Sequence, residues 1–331
     1  MEILAIHDGK CGHLSQITGV VNAIDNQLKI SNVATKITCF KAEPSLFSFL
    51  PPTKANQEKI KLLPKPQIII AIGRRTLASS LFAKKYFKDA KLIYLMPPGK
   101  VHSLIDLCFY HAYKKPPKGN NVVPILTAPH NIQASYNNSN EILNNLQKPF
   151  DVFMIGGNAK NITLSNKACA ELVEIAQSMQ KQNNSTLLIS TSRRTKKQQV
   201  EYLSNLLQPL IAQKKCVLWR HGVDHTPNPY HIFLNNANNV VITGESVSMM
   251  SEACSLPENV GVYFFFNKNF YARRYTKFHQ VLIENNLAYN VNNLKTENIT
   301  KRNSYNSTTT IEKIVLDFIA KKSNNIINNQ I

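Results

Sequence analysis

The feature that most constrains this chain is an alternation of short apolar runs with amphipathic stretches that proceeds to Leu126, breaks, and restarts at Val152. In the first series Ile3–Ile6, Lys36–Phe40, Ile68–Ile72, Leu92–Leu95, Leu107–Tyr110 and Val122–Leu126 read as strands. Helices are expected over His13–Gln27, Lys54–Leu63 and Thr76–Tyr86. In the second series Val152–Ile155, Leu187–Ser190, Val217–Trp219, Val240–Ile242 and Val260–Phe264 read as strands, with helices over Leu164–Gln180 and Lys197–Leu207 and short helices between the last strands. Such alternation implies an α/β chain of two Rossmann-like, doubly wound parallel sheets facing a cleft. A polar segment, Ala128–Asn145, ends at Lys148-Pro149 and sets the expected boundary, giving domains over 1–147 and 148–285. From 286 to 331 the chain is an Asn-rich tail, loop-like until a last helix over Ile311–Lys322.

Composition narrows the class. With 331 residues, 43% hydrophobic and only 18% charged, the chain can fill two cores and is not of disordered type. Its start, M-E-I-L-A-I-H-D, lacks the basic opening and long apolar core of a secretion signal. The apolar runs Ile68–Ile72 and Val260–Phe266 are too short to cross a bilayer. Six scattered cysteines without a C-x-x-C pair suit a reduced, cytoplasmic protein with no zinc site. The formal charge of +19 favours anionic partners, although an Asn-, Lys- and Ile-rich genome would produce it too. No zinc finger, helix-turn-helix or aromatic RNA-binding signature accompanies it, so nucleic acid is not expected. Peripheral contact with an anionic membrane, at its inner face, is compatible with the lysines.

Polar residues gather where the expected strands end. In a doubly wound sheet ligands bind beyond the carboxyl ends of the strands. After the first strand stand Asp8, Gly9, Lys10, Gly12 and His13, and after Ile72 come Gly73 and Arg74. Ile155 leads into Gly156, Gly157, Asn158 and Lys160. Ile189 leads toward Ser192, Arg193 and Arg194, and the loop after Trp219 ends in Asn228-Pro229-Tyr230. Each has a plainer structural reading: Gly156-Gly157 as a tight turn, Asn228-Pro229 as a turn former, Asp8 as a helix cap, His13 as an ordinary helix residue. Arginines opening a helix oppose its dipole, however, and call for an anion nearby.

The richest stretch is Val240–Cys254, V-V-I-T-G-E-S-V-S-M-M-S-E-A-C. Here an apolar run turns at Gly244 into a helix start carrying Glu245, Ser246, Ser248, Met249, Ser251 and Glu252. Helix amides and the positive end of the dipole converge there, as a phosphate requires. Ser246 or Ser248 alone would serve as caps, but Glu252 lies one residue too late for a capping box on Ser248. Its carboxylate is therefore expected to be free for a partner such as a ribose hydroxyl. No G-x-G-x-x-G follows a strand, no G-x-x-x-x-G-K-[ST] occurs, and no G-x-S-x-G elbow appears. Backbone amides and arginines for a diphosphate, with a carboxylate for ribose, suit a nucleoside-diphosphate sugar.

The segments D-G-K-x-G-H, G-G-x-x-K, T-S-R-R-T, N-P-Y and V-T-G-[DE]-S-x-S-M-x-S-E-A resemble the mitochondrial fission protein family of elongated-mitochondria type over roughly residues 1–285. The resemblance implies a fold similar to GT-B glycosyltransferases, with a C-terminal helix crossing back to the first domain. It also implies that Glu252 meets ribose, that Gly156, Gly157 and Ser248 meet the diphosphate, and that Gly9, Gly12 and His13 face the acceptor. Glu245 stands where Asp is commoner in the family.

Two functions remain in view. One is a metal-independent glycosyltransferase without a cofactor, its nucleoside-diphosphate sugar being a substrate. Arg193, Lys160 and the Ser246–Ser251 amides would then stabilise the leaving diphosphate, and Asp8 or His13 would act as base toward an acceptor that the sequence does not name. No D-x-D pair suited to a metal-held diphosphate stands out. The other is a non-catalytic adaptor or peripheral membrane protein on the same fold.

Overall fold

A computed structural model describes residues 1–43, 51–96, 102–119, 121–131, 142–293 and 302–327. The chain forms two compact units, Met1–Asn131 with Asn306–Ile331, and Ile132–Tyr305.

The first unit is built on β1 (Glu2–His7), α1 (Cys11–Ile30), β2 (Lys36–Lys41), α2 (Lys54–Lys61), β3 (Ile68–Ile72), α3 (Leu77–Tyr86), β4 (Lys91–Leu95), β5 (Leu107–His111) and β6 (Val122–Ile125). Its six strands are all parallel, in the order β2-β1-β3-β4-β5-β6. Every residue of β3 is buried, which explains why Ile68–Ile72 has no polar alternation: helices cover both faces. On one face α1 inserts Ile17, Val20, Val21 and Ile24 against Ile3, Ile68 and Ile70. On the other, Ile60 of α2 and Ala83 of α3 pack with Leu4, Ile69 and Leu92.

The second unit repeats the plan with β7 (Phe150–Ile155), α4 (Asn166–Asn183), β8 (Thr186–Thr191), α5 (Lys197–Ala212), β9 (Cys216–Trp219), α6 (Tyr230–Asn235), β10 (Asn239–Thr243), α7 (Val247–Cys254), β11 (Gly261–Phe265), α8 (Arg273–Glu284) and β12 (Tyr289–Asn290). The strands are again parallel, in the order β12-β11-β10-β7-β8-β9. Local chemistry sets the helix limits. Ser165 caps α4 by accepting from the Ala168 amide at 3.2 Å, and Asn184 ends it in the left-handed region.

The last helix, α9 (Ser307–Ile327), returns to the first unit. Ile311 and Val315, both fully buried, join the core beside α1. Each such side chain contributes roughly 1.5–3 kcal/mol. Its start is tied down by Ser307 Oγ, which donates to the Thr127 carbonyl at 2.7 Å, and by Thr308 Oγ1, which accepts from the His130 amide at 2.8 Å. The stretch expected as loop between Asn286 and Ile311 contains β12 and a 3-10 turn at Val291–Asn293, and α9 opens at Ser307. Most of the polar Ala128–Asn145 segment and residues 294–301 lie outside the described residues.

Candidate functional site

In each unit the chain reverses direction across the sheet at its first strand. These are the topological switch points, where loops after neighbouring strands splay apart and leave room for a ligand. In the first unit the switch lies between β1 and β3. The loops that follow carry Asp8, Gly9 and Lys10, and Gly73 with Arg74. The Asp8 side chain is 2% exposed, and its Oδ1 lies 2.9 Å from His13 Nδ1. Asp8 is no helix cap: α1 starts after Lys10 with no side-chain cap bond. Lys10 stands 3.5 Å from Asp8 Oδ2, its amide donates to Oδ1 at 3.3 Å, and Gly9 donates to His7 Nδ1 at 3.1 Å. Burial works against the Asp8 charge, but the bond to His13 and the Lys10 amide outweigh it and hold the pKa below its ordinary value.

Gly73, at φ +88°, forms the floor of this pair. A Cβ there would lie 2.7 Å from the His13 ring. The Gly73 carbonyl accepts from the buried Tyr94 hydroxyl at 2.7 Å and from Thr76 Oγ1 at 2.8 Å, which fixes the turn. With Nδ1 held by Asp8, the other ring nitrogen of half-buried His13 is the one available to a substrate proton. Gly12 has open space around it, and Arg74 is exposed.

In the second unit the switch lies between β7 and β10. Here the expected cradle is filled by the chain itself. The Gly156 amide donates to Thr243 Oγ1 at 2.7 Å, and the Gly157 amide donates to Glu245 Oε1 at 3.0 Å. Glu245 is buried and pairs with Arg194 at 2.9 Å, while its Oε2 has no hydrogen-bond partner. Burial pushes the Glu245 carboxyl up to about 6 against the pull of Arg194. The two glycines are required by this packing. A Cβ at 156 would meet Glu245 Oε1 at 1.9 Å, and one at 157, where φ is +132°, would meet the Arg194 carbonyl oxygen at 2.3 Å.

Beside this knot, where β7 and β8 end, a cavity of about 290 Å³ opens. Of the residues expected to bind phosphate or nucleotide, Ser192, Arg193, Asn228, Tyr230 and Met249 line it. Arg193 is exposed and Ser192 Oγ donates to the Gly156 carbonyl. Asn228 Oδ1 accepts from the Tyr230 amide at 3.0 Å, which shapes the N-P-Y turn. Thr191 and His221 also line the cavity, and the His221 amide donates to Thr191 Oγ1 at 2.8 Å.

The remaining expected ligands are distributed. Ser248 and Lys160 are exposed, and Asn158 Oδ1 is taken by the Leu164 amide at 2.8 Å. Ser246 is buried at the α7 N-cap without a side-chain cap bond. Ser251 is fully buried and donates to the Val247 carbonyl at 2.7 Å. The Gly244 carbonyl lies 2.7 Å from His279 Nε2. The expectation of an unpartnered Glu252 is corrected: the Tyr230 phenol donates to its Oε2. Burial pushes Glu252 up to about 7 against that bond.

The model for the mitochondrial fission ELM1 family matches residues 11–317. This chain belongs to that family. An uncharacterised protein of Rickettsia prowazekii (strain Madrid E) is 26% identical over 266 residues, covering 70% of this chain and 73% of its own. Among solved structures, UDP-GlcNAc 2-epimerase of Methanocaldococcus jannaschii is similar with a TM-score of 0.60 at 15% identity, covering 97% of this chain and 100% of its own. The Neisseria meningitidis UDP-GlcNAc 2-epimerase bound to UDP-GlcNAc aligns with a TM-score of 0.50 at 11% identity, covering 97% and 100%. At these identities the likeness is one of fold. The ELM1-family chain is GT-B-like, with two Rossmann-like parallel-sheet units.

Sequence reasoning missed Thr243, His221 and the Glu245–Arg194 pair in this family member. A residue at the end of β10 was in plain view as the last letter of V-V-I-T, but only the fold brings it to Gly156. His221 sits two residues after Trp219, and that strand-end position was its one available signal. Among the described residues no group of three His, Cys, Asp or Glu is placed to hold a metal, and no helix is long and apolar enough to cross a membrane.

Proposed function

We propose that the second unit binds a nucleoside-diphosphate sugar and that the protein transfers the sugar without a metal or a further cofactor. The observation that carries this reading is the cavity at the ends of β7 and β8, beside the switch point, lined by Arg193, Ser192, Asn228 and Tyr230. The Neisseria relative in fold holds UDP-GlcNAc. Arg193 and the amides opening α7 supply positive charge for a diphosphate. Glu252, fixed by Tyr230 through one oxygen, keeps the other for a ribose hydroxyl. In the first unit His13 acts as general base on an acceptor hydroxyl, with Asp8 holding its tautomer and stabilising the imidazolium. As the acceptor oxygen attacks the anomeric carbon, the sugar–phosphate bond breaks and the diphosphate leaves with the electron pair.

One observation favours a second reading, a non-catalytic adaptor that keeps the site as a sensor. Glu245 already occupies the Gly157 amide and Arg194, and a phosphate seeking them would have to displace a carboxylate. Incubation with UDP-, GDP- and ADP-sugars, followed by nucleotide release, separates the two. Wild type is expected to release nucleoside diphosphate and His13→Ala to bind the donor without release. Binding with no release by wild type would select the adaptor, and no binding would remove both.

A further inference from the structure

A second concavity of about 630 Å³ lies on the second unit, between the end of β11 and α8, within the size range of small-molecule sites, roughly 300–1,000 Å³. One wall is apolar, formed by Phe264, Phe266, Tyr271 and Ile283. Tyr271 and Ile283 stay 51% and 42% exposed, although both are large hydrophobic side chains. The cation that lines the concavity is Lys268, which is exposed; Arg273, three residues before the lining Thr276 and so on the same face of α8, is exposed just beyond the lining. No carboxylate is among the lining residues. Two arginines open α8 with no acid in the first turn, where the helix dipole opposes them; Arg274 stacks over the Tyr275 ring at 5.2 Å, and Arg273 is exposed.

The groove is built rather than incidental. Glu171 accepts from the Asn267 amide group at 2.9 Å and from that of Asn269, pinning the loop that forms one wall. Asn290 Nδ2 donates to the Phe266 carbonyl at 2.8 Å from the other side. His279 lines the groove and is 4% exposed. Its Nε2 faces the Gly244 carbonyl, which can only accept, so Nε2 carries the proton. Its Nδ1 is left a bare acceptor with no hydrogen-bond partner.

We propose that this groove binds an anionic amphiphile, a single hydrocarbon chain carrying a phosphate or carboxylate head. The chain lies along Phe264, Phe266 and Ile283, and the head meets Lys268, with Arg273 at the end of the same face of α8. Either part alone satisfies half the site: an alcohol leaves the cations unpaired, and an inorganic anion leaves the apolar wall in water. The inference does not rest on nucleotide binding by the strand-end cavity.

Calorimetric titration of monomeric decyl phosphate into the full chain tests it, with decanol and inorganic phosphate as the two halves. Wild type is expected to bind decyl phosphate at least tenfold more tightly than either half. Ile283→Glu and the double variant Lys268→Glu/Arg273→Glu are each expected to weaken binding at least tenfold. All three positions are exposed, and thermal melts of the variants report their folding. Leu62→Glu, an exposed residue of the first unit, should leave binding unchanged. No binding by wild type, equal binding by the groove variants, or equal binding of inorganic phosphate would overturn the proposal. So would capture of phosphatidylglycerol vesicles without capture of monomeric decyl phosphate.

Discussion

The Tyr230 phenol donates to Glu252 Oε2, joining α6 to α7 across 22 residues of sequence beside the cavity at the ends of β7 and β8. Burial raises the Glu252 pKa to about 7, from 4.5 in an unfolded chain. The folded state therefore holds a proton that the unfolded state has lost between those two values. Stability from this group is complete below pH 4.5 and declines as pH rises through 7, by about 3 kcal/mol at roughly 1.4 kcal/mol per unit. Buried His111 and His279, lowered to about 3 and about 4 by desolvation, act in the opposite sense, so the total curve is a compromise. Subtracting one variant isolates the carboxylate. In urea melts Glu252→Gln should be more stable than wild type at pH 8, with the difference shrinking toward pH 5. A difference independent of pH would show that Glu252 titrates normally.

Two glycines that look alike in the sequence should behave in opposite ways. Gly157→Ala puts a Cβ 2.3 Å from the Arg194 carbonyl oxygen at φ +132°, and should cost more than about 3 kcal/mol. Gly12, helical and with nothing within 4 Å, should become more stable as Ala by about 0.5–1 kcal/mol. Thermal unfolding of the two variants reads both signs.

Arg302, 3% exposed, donates to the carbonyls of Val260, Leu256, Asn303, Pro257 and Cys254 at 2.6, 2.6, 2.7, 2.8 and 3.3 Å. It thereby secures the C-terminal end of the helix that carries Glu252. Arg302→Ala leaves several buried carbonyls unpaired and should destabilise by about 3 kcal/mol or more. Arg302→Lys, with one amine for five acceptors, should recover less than half of that loss in urea denaturation.

The Asp8–His13 pair predicts a separation of binding from turnover. Asp8→Asn keeps the size of the side chain but removes the charge that stabilises a protonated His13. Nucleotide release from a sugar donor should fall by about 10²-fold or more, with donor affinity unchanged within about twofold. Equal losses in both would mean that the pair shapes the unit rather than the reaction.

The strands were legible because helices cover both faces of each sheet, leaving runs such as Ile68–Ile72 apolar throughout. Strand-end chemistry was legible for the same reason, since a switch point follows from the order of elements. The partners of those residues were not. Glu245 meets Arg194 between two strand-end loops, and Glu252 of α7 meets Tyr230 of α6; both pairs are far apart in sequence, and neither spacing is periodic. Arg302 was hidden differently: it lies in an Asn-rich stretch that reads as solvent-exposed, and only its carbonyl partners explain its burial. Strand β12 has two residues, too few for any pattern.

The proposed function stands or falls on a nucleotide held by the second unit at the ends of β7 and β8. Calorimetric titration of UDP, GDP, ADP and their sugars into wild type, Arg193→Ala and Glu252→Ala tests it most directly. Wild type is expected to bind at least one nucleotide with a Kd below about 1 mM, on the order of −4 kcal/mol or better. Each variant should weaken that binding by about 1–3 kcal/mol. Absence of binding by wild type at millimolar concentration, or equal binding by all three proteins, would contradict it.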